Sequence, residues 1–182
     1  MTAHRDRKNQ VAVRGVVDRV AVAYGAATVL TDAELGSGTA GSREVLVVPA
    51  SAWTSDVEPA DLVVTLDAPA AGAGWEDYLV MLAKQARKVL LVFAHNAERI
   101  GRHAGPGTAA LARVLWQIGR VREHTYLGSL PLVGAYEVVR VPAGMLVRKT
   151  ALLQAFVVDT VPRTPQARRR LRALEEARSE DP

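Results

Sequence analysis

Short, continuous runs of apolar residues, rich in valine and bounded by polar residues or proline, occur in the middle of the chain. They are REVLVVPA, DLVVTLDA and KVLLVFAHN. Runs of this length and composition are typical of strands that are buried on both faces of a parallel sheet. We therefore predict strands at 44–49, 61–67 and 88–94 in the centre of one sheet.

Helical periodicity lies before and between these runs. Residues 9–24 place apolar side chains three and four positions apart, with charged residues between them, which predicts an amphipathic helix. The same spacing predicts helices at 75–88 and 108–119. Trp75 and Trp116 fall on the apolar faces of these helices, so we expect them to be core or edge anchors.

The segment between the first helix and the first apolar run is less regular. Residues 27–30 predict a short strand, which leads into a glycine-rich loop. Trp53 lies in a loop after a predicted strand end, which makes it a candidate wall of a pocket.

The last third of the chain adds strands and helices. Strands are predicted at 121–127 and 134–141, joined across SLPLVG as an antiparallel pair. Residues 145–159 are interpreted as a helix that VPRTP ends, and residues 166–178 as a final charged helix. The order of elements predicts an α/β fold: three layers, Rossmann-like, with a mostly parallel sheet, an antiparallel C-terminal strand pair and C-terminal helices.

Composition indicates the number of domains and their class. The chain has 182 residues, of which 49% are hydrophobic and 23% are charged, enough for one buried core. No uninterrupted apolar run approaches the roughly 18 residues of a membrane helix, and the N-terminus has no signal-peptide pattern. We expect one soluble, cytoplasmic domain over residues 1–182, with flexible tails at 1–8 and 179–182.

Charge and cysteine content exclude several kinds of site. There is no cysteine, which excludes disulfides, thiolate nucleophiles and cysteine-ligated metal centres, and four scattered histidines favour no metal site. The 23 Lys and Arg residues exceed the 19 Asp and Glu residues by four, mainly at the two ends. Acidic residues directly follow the arginines of 168–172, so a solvated helix is favoured there over a nucleic-acid contact.

The succession DLVVTLDAPAAGAGWEDYLVMLAKQARKVLLVFAHN resembles the second half of a class I S-adenosylmethionine-dependent methyltransferase. In that family, a strand with an aspartate near its end is followed by a loop, a helix with the pattern W..YL..L....K, and a strand of the VLLVFVPN kind. A helix and an antiparallel strand pair continue the resemblance to about residue 141. The resemblance implies a Rossmann-like fold, S-adenosylmethionine as cofactor and methyl transfer to an acceptor.

The cofactor loop of this family is a glycine-rich turn between the first strand and the first helix, often preceded by an acidic residue. Here ELGSGTAG, residues 34–41, matches E-x-G-x-G-x-x-G. A strand pattern rather than a helix pattern follows, and only 19 residues separate Gly41 from Asp61. A helix and two strands need about 30 residues. Either the N-terminal cofactor-binding half is abbreviated or degenerate, or this segment is a flexible surface turn.

Polar side chains at strand ends complete the candidate site. Asp67 ends one apolar run, and His95 and Asn96 end the next, where ligands of open α/β sheets bind. We take Asp67 and His95 as candidate catalytic residues, because a histidine there can serve as a general base. The alternatives are a cap before Pro69 and polar strand ends that bond the following loop. The candidate cofactor-binding residues are Glu34, Gly36, Gly38, Asp67 and Asn96.

Two functions of different classes remain open. The first is an S-adenosylmethionine-dependent methyltransferase, which needs few catalytic groups because the sulfonium is already an activated methyl donor. The second is a non-catalytic, methyltransferase-like scaffolding subunit, a pseudoenzyme that docks to a protein partner or to a second copy of itself. Because valine-rich REVLVV favours a strand where the cofactor loop needs a helix, we expect weak or absent affinity of the isolated chain for S-adenosylmethionine.

Overall fold

The structure of the chain is a computed structural model. It describes residues 2–33, 44–49, 52, 57–66, 74–96, 107–130, 134–139 and 145–160. The helices and strands in these ranges are α1 (Thr2–Ala23), β1 (Thr28–Thr31), β2 (Glu44–Val47), β3 (Ala60–Thr65), α2 (Trp75–Gln85), β4 (Ala86–His95), α3 (Thr108–Ile118), β5 (Arg120–Leu130), β6 (Gly134–Val139), α4 (Met145–Thr150) and β7 (Leu153–Asp159). None of the described helices combines the length and the apolar character needed to cross a membrane.

The seven described strands belong to one sheet, in the order β2-β1-β3-β4-β7-β5-β6. β2, β1, β3 and β4 run parallel to one another, whereas β7 runs antiparallel to β4 and β5, and β6 antiparallel to β5. The predicted α/β fold is confirmed, with the predicted antiparallel pair of β5 and β6 at one edge. β3 and β4 are neighbours in the centre, as predicted. The central position predicted for 44–49 is wrong, because β2 is the opposite edge strand.

The largest difference from the sequence analysis lies at residues 145–159. One helix is predicted there, whereas the structure has the short helix α4 followed by strand β7. β7 lies between β4 and β5 and pairs with both, and its residues after Leu153 are buried. Its sequence LQAFVVD contains the aromatic and β-branched residues that fit a strand covered on both faces. This position in the sheet overrides the helix propensity of its leucine, glutamine and alanine.

Helices cover both faces of the sheet, and the alternation of side chains along the strands separates two cores. Along β4, Leu90 and Val92 lie in the core under α2 and α3, whereas Leu91 and Phe93 lie in the core under α1. This period of two is that of a strand buried on both faces. The predicted three-layer arrangement is confirmed. Helix α1 begins at Thr2, before its predicted start, and includes residues that the sequence analysis assigned to a tail.

The tryptophans differ in their surroundings. Trp75 is partly buried and packs against the core under α2 and α3, as predicted. Trp116 is 61% exposed, so its predicted place on the apolar face of α3 is wrong. That face is formed instead by Leu111, Leu115 and their neighbours. Trp53 lies outside the described residues.

An ion pair joins α1 to the antiparallel half of the sheet. Arg19 of α1 contacts both carboxylate oxygens of Glu123 in β5, at 3.0 and 2.8 Å. Thr125 Oγ1 donates to the same carboxylate at 2.8 Å. Burial raises the pKa of Glu123, but these hydrogen bonds and the charge of Arg19 outweigh it, so the pKa of the carboxyl lies below its ordinary value.

A second carboxylate joins strands at their amino ends. Asp61 Oδ2 in β3 accepts a hydrogen bond from Ala27 N at 2.8 Å, and Asp61 N donates to Thr28 Oγ1 of β1 at 2.9 Å. Lys88 of β4 lies 3.3 Å from the same carboxylate and donates to Gly25 O at 2.8 Å. The Ala27 N–H lowers the pKa of Asp61 most, and the Lys88 ammonium adds to this against the effect of desolvation.

The turn from α3 into β5 requires a glycine for reasons of space. The backbone of Gly119 is extended, with φ −172°. A Cβ at this position would lie 2.5 Å from Asp159 O and 2.7 Å from Val158 Cγ1 of β7. Because β7 is a strand inside the sheet, these atoms can move only if the sheet shifts.

Gly119→Ala should lower the free energy of unfolding by about 1–3 kcal/mol, since the added methyl overpacks a fixed backbone. Gly15→Ala is the matched control, because Gly15 lies in α1 with open space at its Cβ position. That change should stabilise the helix by up to about 1 kcal/mol. Urea denaturation followed by circular dichroism measures both. Equal midpoints for Gly119→Ala and the wild-type chain would contradict the close approach.

Asp61→Asn removes a carboxylate whose pKa is lowered in the folded chain. Such a group stabilises the fold above the pKa of the unfolded chain, and its contribution disappears as the pH falls through the folded-state pKa. We expect the variant to be less stable than the wild type at neutral pH and to approach it below about pH 3. Urea denaturation across this range gives the difference. A difference that does not change with pH would show that the charge of Asp61 contributes nothing.

Candidate functional site

The connections that follow β1 and β3 lead to opposite sides of the sheet. The connection after β1 leads to β2 on one side, whereas the connection after β3 leads through α2 to β4 on the other side. In open α/β sheets, this reversal leaves a crevice outside the strand ends, where ligands bind. The topology therefore places a candidate binding crevice between β1 and β3.

Asp32, the first residue after β1, spans this crevice. Its carboxylate accepts hydrogen bonds from Leu66 N, at 2.9 Å, and from Thr65 Oγ1, both at the end of β3. Tyr78 Oη of α2 donates to the same carboxylate at 3.4 Å. One carboxylate thus connects β1, β3 and α2 at the base of the crevice.

The glycine-rich segment starts at Glu34, after the two residues that follow β1. The strand predicted at 27–30 is confirmed as β1. Thr31 Oγ1 donates to Ala33 O at 3.0 Å and accepts from Ala33 N at 3.3 Å, which turns the chain as it leaves the strand. The predicted cofactor-binding residues of the segment lie outside the described residues: Glu34, Gly36 and Gly38.

β4 extends beyond the end of β3, on the side away from β1, and we take its outer end as one wall of the candidate crevice. Thr65, the last residue of β3, pairs with Val92, so His95 lies three residues, roughly 10 Å, further out. The His95 side chain is exposed. Asp67 directly follows Leu66 and lies outside the described residues. Because β3 and β4 are parallel, the segments that follow them leave the sheet at the same edge.

Asn96 points into the protein where β4 meets the chain between α4 and β7. The residue is 3% exposed, and its Nδ2 donates to Ala151 O at 3.0 Å. Its backbone N donates to Leu152 O at 3.1 Å. Leu152 N donates in turn to Leu127 O of β5 at 2.8 Å. Asn96 therefore fixes the outer end of the β4 wall to β7 and β5.

A buried polar group lies beside this wall, on the sheet face that α2 and α3 cover. Gln154 of β7 is fully buried; its Oε1 lies 3.1 Å from His124 Nε2 of β5, and its Nε2 donates to His95 O at 3.4 Å. The His124 ring stacks on Phe156, with ring centroids 4.1 Å apart, and lies 4.6 Å from the Tyr126 ring. These contacts connect the backbone at His95 to β5.

Three members of these networks were not predicted from the sequence: Asp32, Gln154 and His124. Asp32 stands directly after a valine-containing strand, which is a usable signal, but the glycine-rich pattern directs attention to Glu34. Gln154 gives no signal as long as its segment is interpreted as a helix. Among the described side chains, no group of three or more acidic or histidine residues is arranged to hold a metal ion.

No protein-family model matches the chain, and no curated protein matches it. Among solved structures, the chain is similar to an S-adenosylmethionine-dependent methyltransferase, possible histamine N-methyltransferase, from Thermotoga maritima. The two sequences are 12% identical, and the TM-score is 0.52. The match covers 84% of this chain and 95% of that chain. The chain is also 11% identical to magnesium protoporphyrin IX methyltransferase from Synechocystis PCC 6803, with a TM-score of 0.48. This match covers 84% of this chain and 80% of that chain. The similarity to the Thermotoga maritima protein shows that the chain has the fold of such a methyltransferase, as the resemblance of its sequence predicts.

Asn96→Ala should lower the free energy of unfolding by about 1–3 kcal/mol, because Ala151 O then loses a buried hydrogen-bond donor. His95→Ala is the control at the adjacent position, where the side chain is exposed. Its effect should stay within about 0.5 kcal/mol. Thermal or urea denaturation measures both variants. A loss for Asn96→Ala that is no larger than the loss for His95→Ala would contradict the structural role of the Asn96 amide.

Proposed function

We propose that the chain is an S-adenosylmethionine-dependent methyltransferase that binds its cofactor in the crevice between β1 and β3. The position of β1 is the observation that carries this proposal. β1 lies at the topological switch point, and the E-x-G-x-G-x-x-G segment begins after two intervening residues. A glycine-rich turn at the carboxyl end of such a strand lets backbone amides approach a nucleotide-like ligand.

The residues next to the crevice suit the polar groups of this cofactor. Glu34 and Asp67 are carboxylates that follow the ends of β1 and β3, and they would accept hydrogen bonds from its hydroxyl and amino groups. Gly36 and Gly38 would admit it close to the backbone. Asn96, whose amide is bonded to Ala151 O, would act on the cofactor through the β4 wall that it fixes.

S-adenosylmethionine supplies a methyl group on an activated sulfonium when it is bound. The chain itself has to align the acceptor with this methyl group and to take up a proton where the acceptor carries one. His95 is exposed at the outer end of the β4 wall, and we assign it the role of proton acceptor, because a nitrogen of a neutral imidazole ring can accept a proton. Asp67 would orient the acceptor from the adjacent strand end.

Isothermal titration calorimetry with S-adenosylhomocysteine tests the proposal without a known acceptor. The purified chain should bind with a dissociation constant on the order of 10–100 μM. We expect this weak affinity because only residues 32–43 connect β1 to β2, which is close to the shortest crossover between parallel strands.

Gly36→Ala should weaken binding, since a Cβ hinders the approach of the ligand to the backbone. Gly15→Ala in α1 should leave binding unchanged. A folded chain that binds no ligand at about 1 mM would overturn the proposal.

A non-catalytic docking subunit is the second candidate, and the edge strand β2 favours it. Leu46 and Val47 of β2 are 51% and 41% exposed. Within the described sheet, β2 pairs with β1 alone. An exposed apolar edge is a surface to which another chain can add a strand. If the folded protein binds no S-adenosylhomocysteine, docking becomes the preferred function.

A further inference from the structure

The geometry points to Asp32 as the positioning residue of the crevice. Its carboxylate sets the spacing between the carboxyl ends of β1 and β3, between which the cofactor would bind. This inference rests on the proposed function, because it concerns binding in the same crevice. Asp32 lies outside the E-x-G-x-G-x-x-G pattern, two residues before its glutamate.

Three donors from two elements converge on this carboxylate. Leu66 N donates to Oδ1 at 2.9 Å, Thr65 Oγ1 donates to Oδ2, and Tyr78 Oη of α2 donates to Oδ2 at 3.4 Å. We call Asp32 and these three partners the carboxylate clasp. The clasp connects β1 to the end of β3 and to the helix that follows it.

The clasp lies at the start of both candidate segments. Glu34 follows Asp32 by two residues, and Asp67 follows Leu66 by one. A change in the distance between Asp32 and Leu66 therefore changes the width of the crevice between the ends of β1 and β3.

The amino ends of β1 and β3 provide a matched control. At these amino ends, the Asp61 carboxylate accepts a hydrogen bond from Ala27 N at 2.8 Å. At the carboxyl ends, the Asp32 carboxylate accepts a hydrogen bond from Leu66 N at 2.9 Å. Alanine at either position leaves one backbone N–H without this acceptor. The two changes are thus comparable for the strand pair, but only one of them lies beside the crevice.

A conservative variant separates the clasp from the charge. In Asp32→Asn, the amide oxygen can still accept from Leu66 N, and the amide nitrogen can donate to Thr65 Oγ1, because a hydroxyl both donates and accepts. This variant keeps the link between β1 and β3. Asp32→Ala removes it.

Calorimetric titration with S-adenosylhomocysteine tests the inference on the full chain, under conditions where denaturation curves show every variant to be folded. We expect Asp32→Ala to weaken binding by about tenfold or more, Asp32→Asn to stay within about threefold of the wild type, and Asp61→Ala to bind as the wild type does. Equal losses for Asp32→Ala and Asp61→Ala would show a general structural role and overturn the inference. Unchanged binding by Asp32→Ala would also overturn it, while the proposed function would stand.

A wild-type chain that binds no ligand would overturn the proposed function, and the inference would fall with it.

If Asp32→Ala does not fold, a second pair of variants tests whether the clasp positions the crevice. Thr65→Val removes a donor of the clasp, and Thr28→Val removes the hydroxyl that accepts Asp61 N at the other edge, at 2.9 Å. We expect only Thr65→Val to weaken binding, and equal effects of the two changes would overturn the inference.

Discussion

The parallel pairing of β1 with β3 is the constraint on which the rest of the structure depends. At each end of the pair, a carboxylate accepts a hydrogen bond from a backbone N–H of the other segment. Asp61 accepts from Ala27 at the amino ends, and Asp32 accepts from Leu66 at the carboxyl ends. β1 has only four residues, so its ladder alone specifies the register weakly. The two side-chain links hold that register against slippage, which would move each side chain of β1 to the other face. The crevice lies at the carboxyl ends of the pair, where Asp32 forms the link.

The apolar runs predicted β3 and β4 correctly, because a strand buried on both faces has the same composition in every such sheet. Composition does not distinguish the centre of a sheet from its edge, which explains the misplacement of residues 44–49. The helix predicted at 145–159 is confirmed over α4 but is wrong over residues 153–159, for a different reason. Leucine, glutamine and alanine in LQAFVVD suit either a helix or a strand, and pairing with β4 and β5, which are distant in sequence, selects the strand. Local sequence does not contain that choice.

The sequence located the polar strand ends of the candidate site, because apolar runs stop where polar residues begin. It did not show what those side chains contact. His95 and Asn96 are adjacent in the chain, yet the first is exposed and the second is buried and bonded to Ala151 O. Successive side chains of a strand point to opposite faces, and the packing around the strand decides which face is covered. Asp32 was missed because its partners, Thr65 and Tyr78, are distant in the chain and become its neighbours only when β1 pairs with β3.

The position of β7 determines the order in which the fold can be completed during synthesis. β4 and β5 both precede β7 in the chain, and in the described sheet β7 lies between them. Until residues 153–159 have left the ribosome, one hydrogen-bonding edge of each strand stays open, and both cores lack the side chains that β7 contributes. Open edges of this kind invite aggregation and chaperone binding, and pairings between distant segments form slowly. The nascent chain is therefore most vulnerable after β5 has been made and before residues 153–159 join the two halves of the described sheet.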